Sequence, residues 1–421
     1  MIFDATSPEW KWWPDMKTDR WLVFLIAMGS ILPLASSDIY LPVLPEMAHS
    51  LLASPFGTQL TLSAYLLGMA CFQLVYGPIS DRFGRKPVLL VGFVVYALAS
   101  LGCALAPTIN WLVFFRFVQS VGACSGLVVG RAIIGDKYDP AGMAEVMSII
   151  YPFVALSPAV SPFCGGYFGA WFGWRSIFFL LALLSILLLI LIWFKLEETK
   201  VNLAVDALSP RTIWEGITFL FSQKRFLAYA IVLVCAYAEW FAYLSGSPFL
   251  FAKVGLDSKM IGKLFIPLSL IYFCCTMIVR RKISSLGIDR IISRGCWIFL
   301  FGASCMLALS LSMSLSWWSV LLPMVVITAG NGMLLSFGMA GAVALHRQKS
   351  GLASGLVGTL QLMGASFGST LVGLFPAQTS FSLASLLVVL AGTALVGFQL
   401  LSGFWPLPLP VTSNNRIQPN S

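Results

Sequence analysis

The sequence predicts an all-α membrane protein in which twelve transmembrane helices form two pseudo-symmetric six-helix bundles. Three observations support this prediction: the apolar composition, the number of long apolar runs, and one long polar interruption between the sixth run and the seventh. Hydrophobic residues make up 58% of the 421 residues and charged residues only 10%, whereas an average soluble domain is about 25% charged. So few charges cannot cover a soluble fold of this length, which makes lipid the expected solvent. Disordered and nucleic-acid-binding proteins are excluded as classes, because both need long polar or charged stretches.

The spans follow from length, since a helix needs about 20 mainly apolar residues to cross a bilayer. Twelve runs meet this requirement, at roughly 21–43, 58–78, 88–106, 111–134, 143–168, 175–194, 226–250, 261–279, 292–313, 318–345, 352–374 and 381–405. We expect a lead at residues 1–20, a first bundle at 21–194, a linker at 195–225, a second bundle at 226–405 and a tail at 406–421. Six spans on each side of a linker indicate a duplicated transporter.

The basic residues indicate the orientation, because loops that face the cytoplasm carry an excess of Lys and Arg. Of the 26 Lys and Arg residues, 20 fall in the two ends of the chain and in every second connection. The other connections hold only Arg175, Lys253, Lys259 and Lys263. Both termini are therefore expected to be cytoplasmic, and the net charge of +9 reflects this asymmetry rather than an acidic partner.

The connection between spans 2 and 3 reads GPISDRFGRKP, from Gly77 to Pro87. A tight turn needs glycine where the backbone passes close to a neighbour, and an acid can pair with an adjacent helix end. A basic turn on the cytoplasmic side would account for the three cations, but the complete pattern is more specific. It resembles the signature loop GxxxDRxGRK of the major facilitator superfamily, which implies a cytoplasmic latch for the outward-facing state. The positions that match are Gly77, Asp81, Arg82, Gly84, Arg85 and Lys86.

Two charged residues lie inside predicted spans of the first half. Asp38 stands in SSDIYLPVLP of span 1, and burial disfavours the charged form of a carboxyl group, which makes Asp38 a candidate proton carrier. The alternative is an acid that emerges at the outer interface. Arg116 opens RFVQSVGACSG in span 4; it can face a wet cavity, pair with an acid or snorkel to the interface. At about 1.5 Å per residue both lie at nearly the same depth, so Asp38 and Arg116 can pair.

Span 5 contains ALSPAVSPFCGG, from Ala155 to Gly166. Pro158 and Pro162 remove backbone donors from one helix face, while Gly165 and Gly166 permit close helix contact and bending. The pattern predicts a hinge. It resembles the GPxxGG antiporter motif, which implies an exporter, with Ser161 in place of the first glycine.

Span 7 reads CAYAEWFAYLSGSPF and carries Glu239 near mid-membrane. An unpaired carboxylate at that depth is costly unless it is functional or neutral. Because span 7 is the counterpart of span 1, pseudo-symmetry places Asp38 and Glu239 together on a central cavity. Glu239 is a second proton-coupling candidate and would favour cationic substrates.

Aromatic and amide side chains in the spans are candidates for an amphipathic substrate pocket, although packing is a common role for such residues. The amides Asn331 and Gln361 can hydrogen-bond across helices or to substrate. The substrate candidates are Tyr40, Tyr65, Tyr151, Trp240, Tyr243, Tyr272 and Gln361.

Taken together, these motifs resemble the Bcr/CflA drug-resistance transporters of the major facilitator superfamily, the bicyclomycin and chloramphenicol exporters. The matching segments are SDIYLPVLP, GPISDRFGRKP, RFVQSVG, SPFCGG, SGSPF and LASGLVGTLQ. In span 4, RFVQSVG is similar to the RxxQG antiporter motif, which implies a part for Arg116 in proton transfer, with Ser120 where the motif has Gly. The resemblance implies a monomeric drug:proton antiporter of the bacterial inner membrane that uses the proton motive force.

Three alternatives remain open from sequence alone. An exporter of a native metabolite such as a siderophore would differ only in its substrate, and a proton-coupled nutrient importer would share the fold. A polytopic membrane enzyme is the third, but the sequence contains no Walker A loop and no HExxH motif. No metal site, cofactor or catalytic residue is expected.

Overall fold

The computed structural model describes residues 20–200, 210–281, 283–345, 350–375 and 379–403. Across these ranges the chain is helical and contains no β-strand. The helices are α1 Arg20–Asp38, α2 Leu44–Ser50, α3 Pro55–Gln73, α4 Tyr76–Phe83, α5 Arg85–Leu105, α6 Ile109–Lys137, α7 Pro140–Phe172, α8 Trp174–Lys195, α9 Pro210–Ser222, α10 Lys224–Lys253, α11 Ser258–Arg280, α12 Ile283–Leu286, α13 Ile288–Ser312, α14 Trp317–Ala344, α15 Ser350–Gly373 and α16 Ser380–Ser402, with a 3-10 turn at Leu41–Val43 after α1.

The number of spans agrees with the prediction. Eleven segments of the described chain are long and apolar enough to cross a membrane, and α3 with α4, bent by 51°, can form the twelfth. The protein is therefore a multi-pass membrane protein with the predicted all-α, two-bundle fold.

Local sequence explains where several helices begin and end. The side chains of Ser54, Asp139 and Asp257 each accept a backbone N–H in the first turn of α3, α7 and α11, which satisfies donors that have no partner inside the helix. The last predicted span extends to residue 405, but α16 ends at Ser402. Gly403 takes a left-handed conformation with φ of 66°, and such a residue ends a helix.

The helices pack into one bundle formed by α1 to α8 and a second formed by α10 to α16. The two bundles meet along two seams, α3 against α15 and α7 against α11. Glycines bring helix backbones together within each bundle: a side chain at Gly126 of α6 would collide with the backbone of Gly29 of α1. Small residues are the expected means of close helix contact in lipid, where no hydrophobic effect drives helices together.

We call the end of the bundles that carries Arg82, Arg85 and Lys86 the basic face, and the other end the opposite face. In the described chain, the ends of α8 and α11 at the basic face add Lys195 and Arg280. The opposite face carries Arg175, Lys253, Lys259 and Lys263 as its cations. Cations are therefore more numerous at the basic face than at the opposite face of the described structure.

Candidate functional site

A central cavity of about 420 Å³ lies between the two bundles, a volume typical of small-molecule sites. Its lining comes from both bundles and runs from mid-depth toward the basic face, where α1 begins and α3 ends. The aromatic part of the wall belongs to the second bundle: Tyr237, Trp240, Phe241 and Tyr272. The polar lining includes Ser30, Asp38, Arg131, Asn331 and Gln361.

The opposite half of the interface is closed by contacts between the bundles. The segment after α1, residues 41–50, packs against α10 and α11 of the second bundle. Across the α3–α15 seam, Ser366 Oγ donates to the carbonyl of Ser63 at 2.9 Å. Gln59 Nε2 donates to the carbonyl of Ser245 at 3.1 Å. The cavity therefore ends against a seal on the opposite side and extends toward the basic face.

Asp38 lies at the boundary between the cavity and this seal. It is the last residue of α1, is 5% exposed and lines the cavity, and its Oδ1 accepts a hydrogen bond from Ser37 Oγ at 2.8 Å. The next residue belongs to the packed region, because a side chain at Gly165 of α7 would collide with the carbonyl of Ile39. Asp38 is thus a buried carboxyl at the blind end of the cavity rather than an acid at the membrane surface.

Arg116 is fully buried inside the first bundle and does not snorkel. Its guanidinium lies 4.1 Å from the ring centroid of Tyr65 and 4.5 Å from that of Tyr40. Nη1 donates to Gln119 Oε1 at 2.6 Å. Aromatic faces attract a desolvated cation by about 2 kcal/mol each, which offsets part of the cost of burial. In the described chain, Arg116 and Asp38 form no ion pair, so the pairing that equal depth allows is not present in this conformation.

The aromatic box around Arg116 corrects part of the predicted substrate pocket. Tyr40 and Tyr65 are completely buried and hold the cation, while their hydroxyls bond Thr61 and the carbonyl of Pro33. Tyr243 is also completely buried and does not line the cavity. Of the predicted set, Trp240, Tyr272 and Gln361 line it. The side chain of Tyr151 lies outside the described part of the structure.

Ser120, which stands where the RxxQG pattern has glycine, is accommodated by its neighbour on α3. Its hydroxyl donates to the carbonyl of Phe117 at 2.7 Å, and a side chain at Gly68 would collide with the Ser120 hydroxyl. Close packing is kept because the glycine lies on the facing helix instead.

The α7 motif forms part of the seal. Pro158 and Pro162 lie within one continuous helix from residue 140 to residue 172. Gly166 meets Ser258 at the start of α11, and a Cβ at Gly262 of α11 would lie 2.6 Å from the carbonyl oxygen of Pro162. These contacts cross from one bundle to the other, so the motif positions backbone against backbone at the α7–α11 seam.

The basic loop folds around Arg85, which is 4% exposed. Gly84 joins α4 to α5 with φ of 93°, a conformation that favours glycine. The Arg85 side chain donates to Ser80 Oγ at 2.6 Å, Asp81 Oδ1 at 2.7 Å and Asp136 Oδ2 at 2.8 Å. All three partners belong to the first bundle.

Glu198 completes this cluster from the segment that follows α8. Its two carboxylate oxygens accept the backbone N–H groups of Arg85 at 2.9 Å and Lys86 at 3.1 Å, as expected for an acid at a helix N-terminus. Lys200 adds an ion pair with Asp81 at 3.0 Å. Arg82 is exposed and stacks on Phe83, and a Cβ at Gly77 would meet no atom within 4 Å.

Glu239 departs from the predicted arrangement. It is completely buried in α10 and is not part of the cavity lining. Asn331 of α14 lines the cavity, and its Nδ2 donates to Glu239 Oε2 at 2.6 Å. The prediction that both acids share the central cavity is therefore wrong for Glu239, because it is fully buried and its hydrogen-bond partner Asn331 is the lining residue instead.

Sequence reasoning assigned no role to several residues that the structure brings to these sites. Arg131 and Tyr237 line the cavity, and Asp136, Glu198 and Lys200 join the basic loop. The sequence could have indicated a role for Arg131, because it is the second cation inside span 4. Nothing in the sequence indicated Asp136 and Glu198 as partners of the basic loop, because they are separated from Arg85 by 51 and 113 residues.

The chain is similar to known membrane proteins in sequence. The family model described as Major Facilitator Superfamily matches residues 24–369. Multidrug resistance protein D of Escherichia coli (strain K12) is 30% identical over 386 residues, covering 89% of this chain and 93% of that protein. The bicyclomycin resistance protein homolog of Haemophilus influenzae is 28% identical over 351 residues, covering 82% and 88%.

A solved structure has the same fold. It is a bacterial homologue of the human lysosomal transporter Spinster in an inward-facing and occupied conformation, with a TM-score of 0.74 at 14% identity over 91% of this chain and 97% of that chain. The family match covers most of the first bundle, the second bundle as far as α15, and every residue that lines the cavity. The chain therefore belongs to the major facilitator superfamily and is a membrane transporter rather than an enzyme.

Proposed function

We propose that the protein is a proton-coupled exporter of small amphipathic drugs in the bacterial inner membrane. The observation that carries this proposal is the position of Asp38, a buried carboxyl at the blind end of a cavity with aromatic walls. The names of the relatives support drug resistance as the setting. The basic face is cytoplasmic, following the Lys and Arg distribution, so both termini are cytoplasmic and the described conformation is inward-open. The transporter acts as a monomer.

The cavity chemistry fits amphipathic cargo. Trp240, Tyr272 and their aromatic neighbours provide apolar faces, while Gln361 and Asn331 offer hydrogen bonds. The lining also contains two ionisable groups, the guanidinium of Arg131 and the carboxyl of Asp38. Small-molecule sites combine apolar surface with a few placed polar groups in this way.

Asp38 couples transport to protons because of where it lies. In the inward-open state it faces the cavity; opening of the seal beside Ile39 would expose the same carboxyl to the outer side. A proton taken up outside is released to the cytoplasm, and drug binds from the cytoplasm or inner leaflet as the proton leaves. Each proton that moves down 100 mV contributes about 2.3 kcal/mol, so one or two protons can sustain a drug gradient.

The test is drug-susceptibility profiling in an efflux-deficient bacterium, with drug-driven proton movement measured in inverted vesicles. Asp38→Asn keeps the shape and hydrogen-bonding capacity but cannot carry a proton, so we expect it to abolish both resistance and proton movement. Asp139→Asn is the matched control and should retain both, because it is the same substitution outside the cavity and Asn caps a helix as well as Asp does. If Asp38→Asn exported drug and moved protons like the unmodified protein, the coupling role would be refuted.

A further inference from the structure

A cluster of buried polar groups lies inside the second bundle, beside the cavity but separated from it. It consists of Glu239, Tyr243 and Ser247 of α10 and Asn331 of α14, each at most 1% exposed. One polar atom of each has no hydrogen-bond partner among the described protein atoms: Glu239 Oε1, Tyr243 OH, Ser247 Oγ and Asn331 Oδ1. Buried polar groups are nearly always paired, so four orphans in one cluster indicate a ligand.

The α10 members are arranged as a line. They are spaced four residues apart, which places them on one side of the helix over about 12 Å at 1.5 Å per residue. The Tyr243 ring is fixed by Phe265 of α11, at 6.1 Å between centroids, and by Trp240 at 6.3 Å. Along the helix, Tyr243 therefore lies one turn from Glu239 and one turn from Ser247.

Asn331 separates this line from the cavity. Asn331 is one of the lining residues and its Nδ2 donates to Glu239 Oε2, whereas Glu239 itself has no exposed surface. On another side α15 packs directly on α10, since a side chain at Gly364 or Gly368 would meet the α10 backbone at Val234 and Ala238. Asn331 is thus a described residue that both lines the cavity and hydrogen-bonds Glu239.

No charged residue on the described parts of α11 and α13 to α16 lies at the depth of Glu239. Helices α14, α15 and α16 contain no charged residue, and the cations of α11 lie at its two ends, at Lys259, Lys263 and Arg280. Those of α13 fall in its first two turns. In the described chain Glu239 forms no ion pair. An isolated buried carboxylate is costly, and a neutral carboxyl with hydroxyl neighbours is the arrangement that this environment accommodates.

We propose that Glu239, Tyr243, Ser247 and Asn331 form a hydrated proton-binding site inside the second bundle, with Asn331 as its gate to the cavity. Water is the ligand that fits, because it can donate and accept among two hydroxyls, a carboxyl and an amide oxygen. The inference rests on the proposed function only in taking the bound proton to drive transport; the binding site itself does not depend on it. It also assigns Glu239 to protons rather than to cationic substrates.

The step at this site is a simple transfer. The O–H bond of the neutral Glu239 carboxyl breaks, its electron pair stays on the carboxylate, and the proton bonds to a cavity water as Asn331 turns aside. The hydrated proton leaves through the cavity, and Asn331 returns to donate its N–H to the carboxylate that remains. Reprotonation reverses the same bonds.

Infrared difference spectroscopy tests the site in the full-length protein, in lipid nanodiscs and without drug. The C=O stretch of a protonated carboxyl is followed through pH titration and transfer to D₂O. We expect a protonated-carboxyl band that Glu239→Gln removes and that Asp38→Asn leaves in place. Tyr243→Phe, which deletes only a hydroxyl, should shift its frequency. A spectrum unchanged by Glu239→Gln would overturn the proposal.

The gate is tested by the rate of hydrogen exchange of that band. Removing one hydrogen bond to an ionisable group is worth about 1.5 kcal/mol, so Asn331→Ala should speed exchange by about tenfold. Thr328→Val is the matched control, since Thr328 lines the cavity one turn away and its hydroxyl bonds the carbonyl of Met324. Equal exchange in Asn331→Ala and the unmodified protein would refute the gate.

The two proposals fail separately. A Glu239 band in a protein that exports no drug would leave this site standing without the proposed function. Transport that depends on Asp38, with no Glu239 band, would leave the function standing without the site.

Discussion

Replacing Gly262 by alanine should open the seal on the opposite face. Gly262 lies one turn inside α11 and meets α7 of the other bundle, where a Cβ would lie 2.6 Å from the carbonyl oxygen of Pro162 and 3.2 Å from its carbon. Ordinary contacts begin near 3.4 Å, so the two backbones must separate by several tenths of an ångström. Backbone atoms cannot rotate away as a flexible side chain can.

The expected effect is a shift in the conformational equilibrium. Overpacking of this kind costs about 1–3 kcal/mol, and in the proposed cycle that cost falls only on the state in which the seam is closed. A coupling of that size changes a ratio of two states by about 5- to 150-fold. The alanine variant should therefore populate conformations that are open at the opposite face.

Distances between spin labels measure this shift. Labels on Leu52→Cys of the first bundle and Met313→Cys of the second, both exposed at the opposite face, are introduced after replacement of the native cysteines. Gly392→Ala is the matched control, because no atom lies within 4 Å of a Cβ at that position. We expect a longer distance population in Gly262→Ala only. Identical distributions in the two variants would show that this seam does not hold the conformation.

Three further substitutions test charged residues of the sites described above. Arg116→Lys keeps the charge but replaces a planar guanidinium by a compact ammonium; we expect the free energy of unfolding to fall by about 2 kcal/mol, and an unchanged melting temperature would argue against the aromatic box. Asp136→Asn removes the charge that accepts from Arg85, with an expected loss of about 1.5–3 kcal/mol in unfolding measurements; full stability would mean that Asp81 suffices. Arg131→Gln should weaken resistance to anionic drugs more than to cationic ones, and equal losses would point to a structural role.

Much of the fold could be predicted because the bilayer restricts the possibilities. Lipid requires each span to satisfy its own backbone hydrogen bonds, so apolar length alone locates the helices, and most predicted boundaries lie within a few residues of those observed. The Gly84 turn was also readable, since a glycine between two helical segments marks a conformation that other residues rarely adopt. Gly403 also takes a left-handed backbone conformation, and α16 therefore ends at Ser402, earlier than hydropathy indicated.

The site was less predictable, because it depends on which side of each helix faces which neighbour. Asp38 lies on the cavity as pseudo-symmetry suggested, but Glu239 is covered by Asn331. Tyr40 and Tyr65 carry the same side chain as Tyr272, yet the first two enclose Arg116 and the third lines the cavity. A rotation of one residue about a helix axis, roughly 100°, decides between these roles.

By itself the sequence determined the number of spans, their division into two bundles and the motifs that identify the superfamily, because hydropathy and glycine torsion act locally along the chain. Tertiary structure alone decided which buried polar groups meet. The contacts of Arg85 with Asp136 and Glu198, and of Glu239 with Asn331, join residues distant in sequence whose pairing depends on how helices are rotated and packed. A buried charge needs a partner, and only the folded bundles determine which one it has.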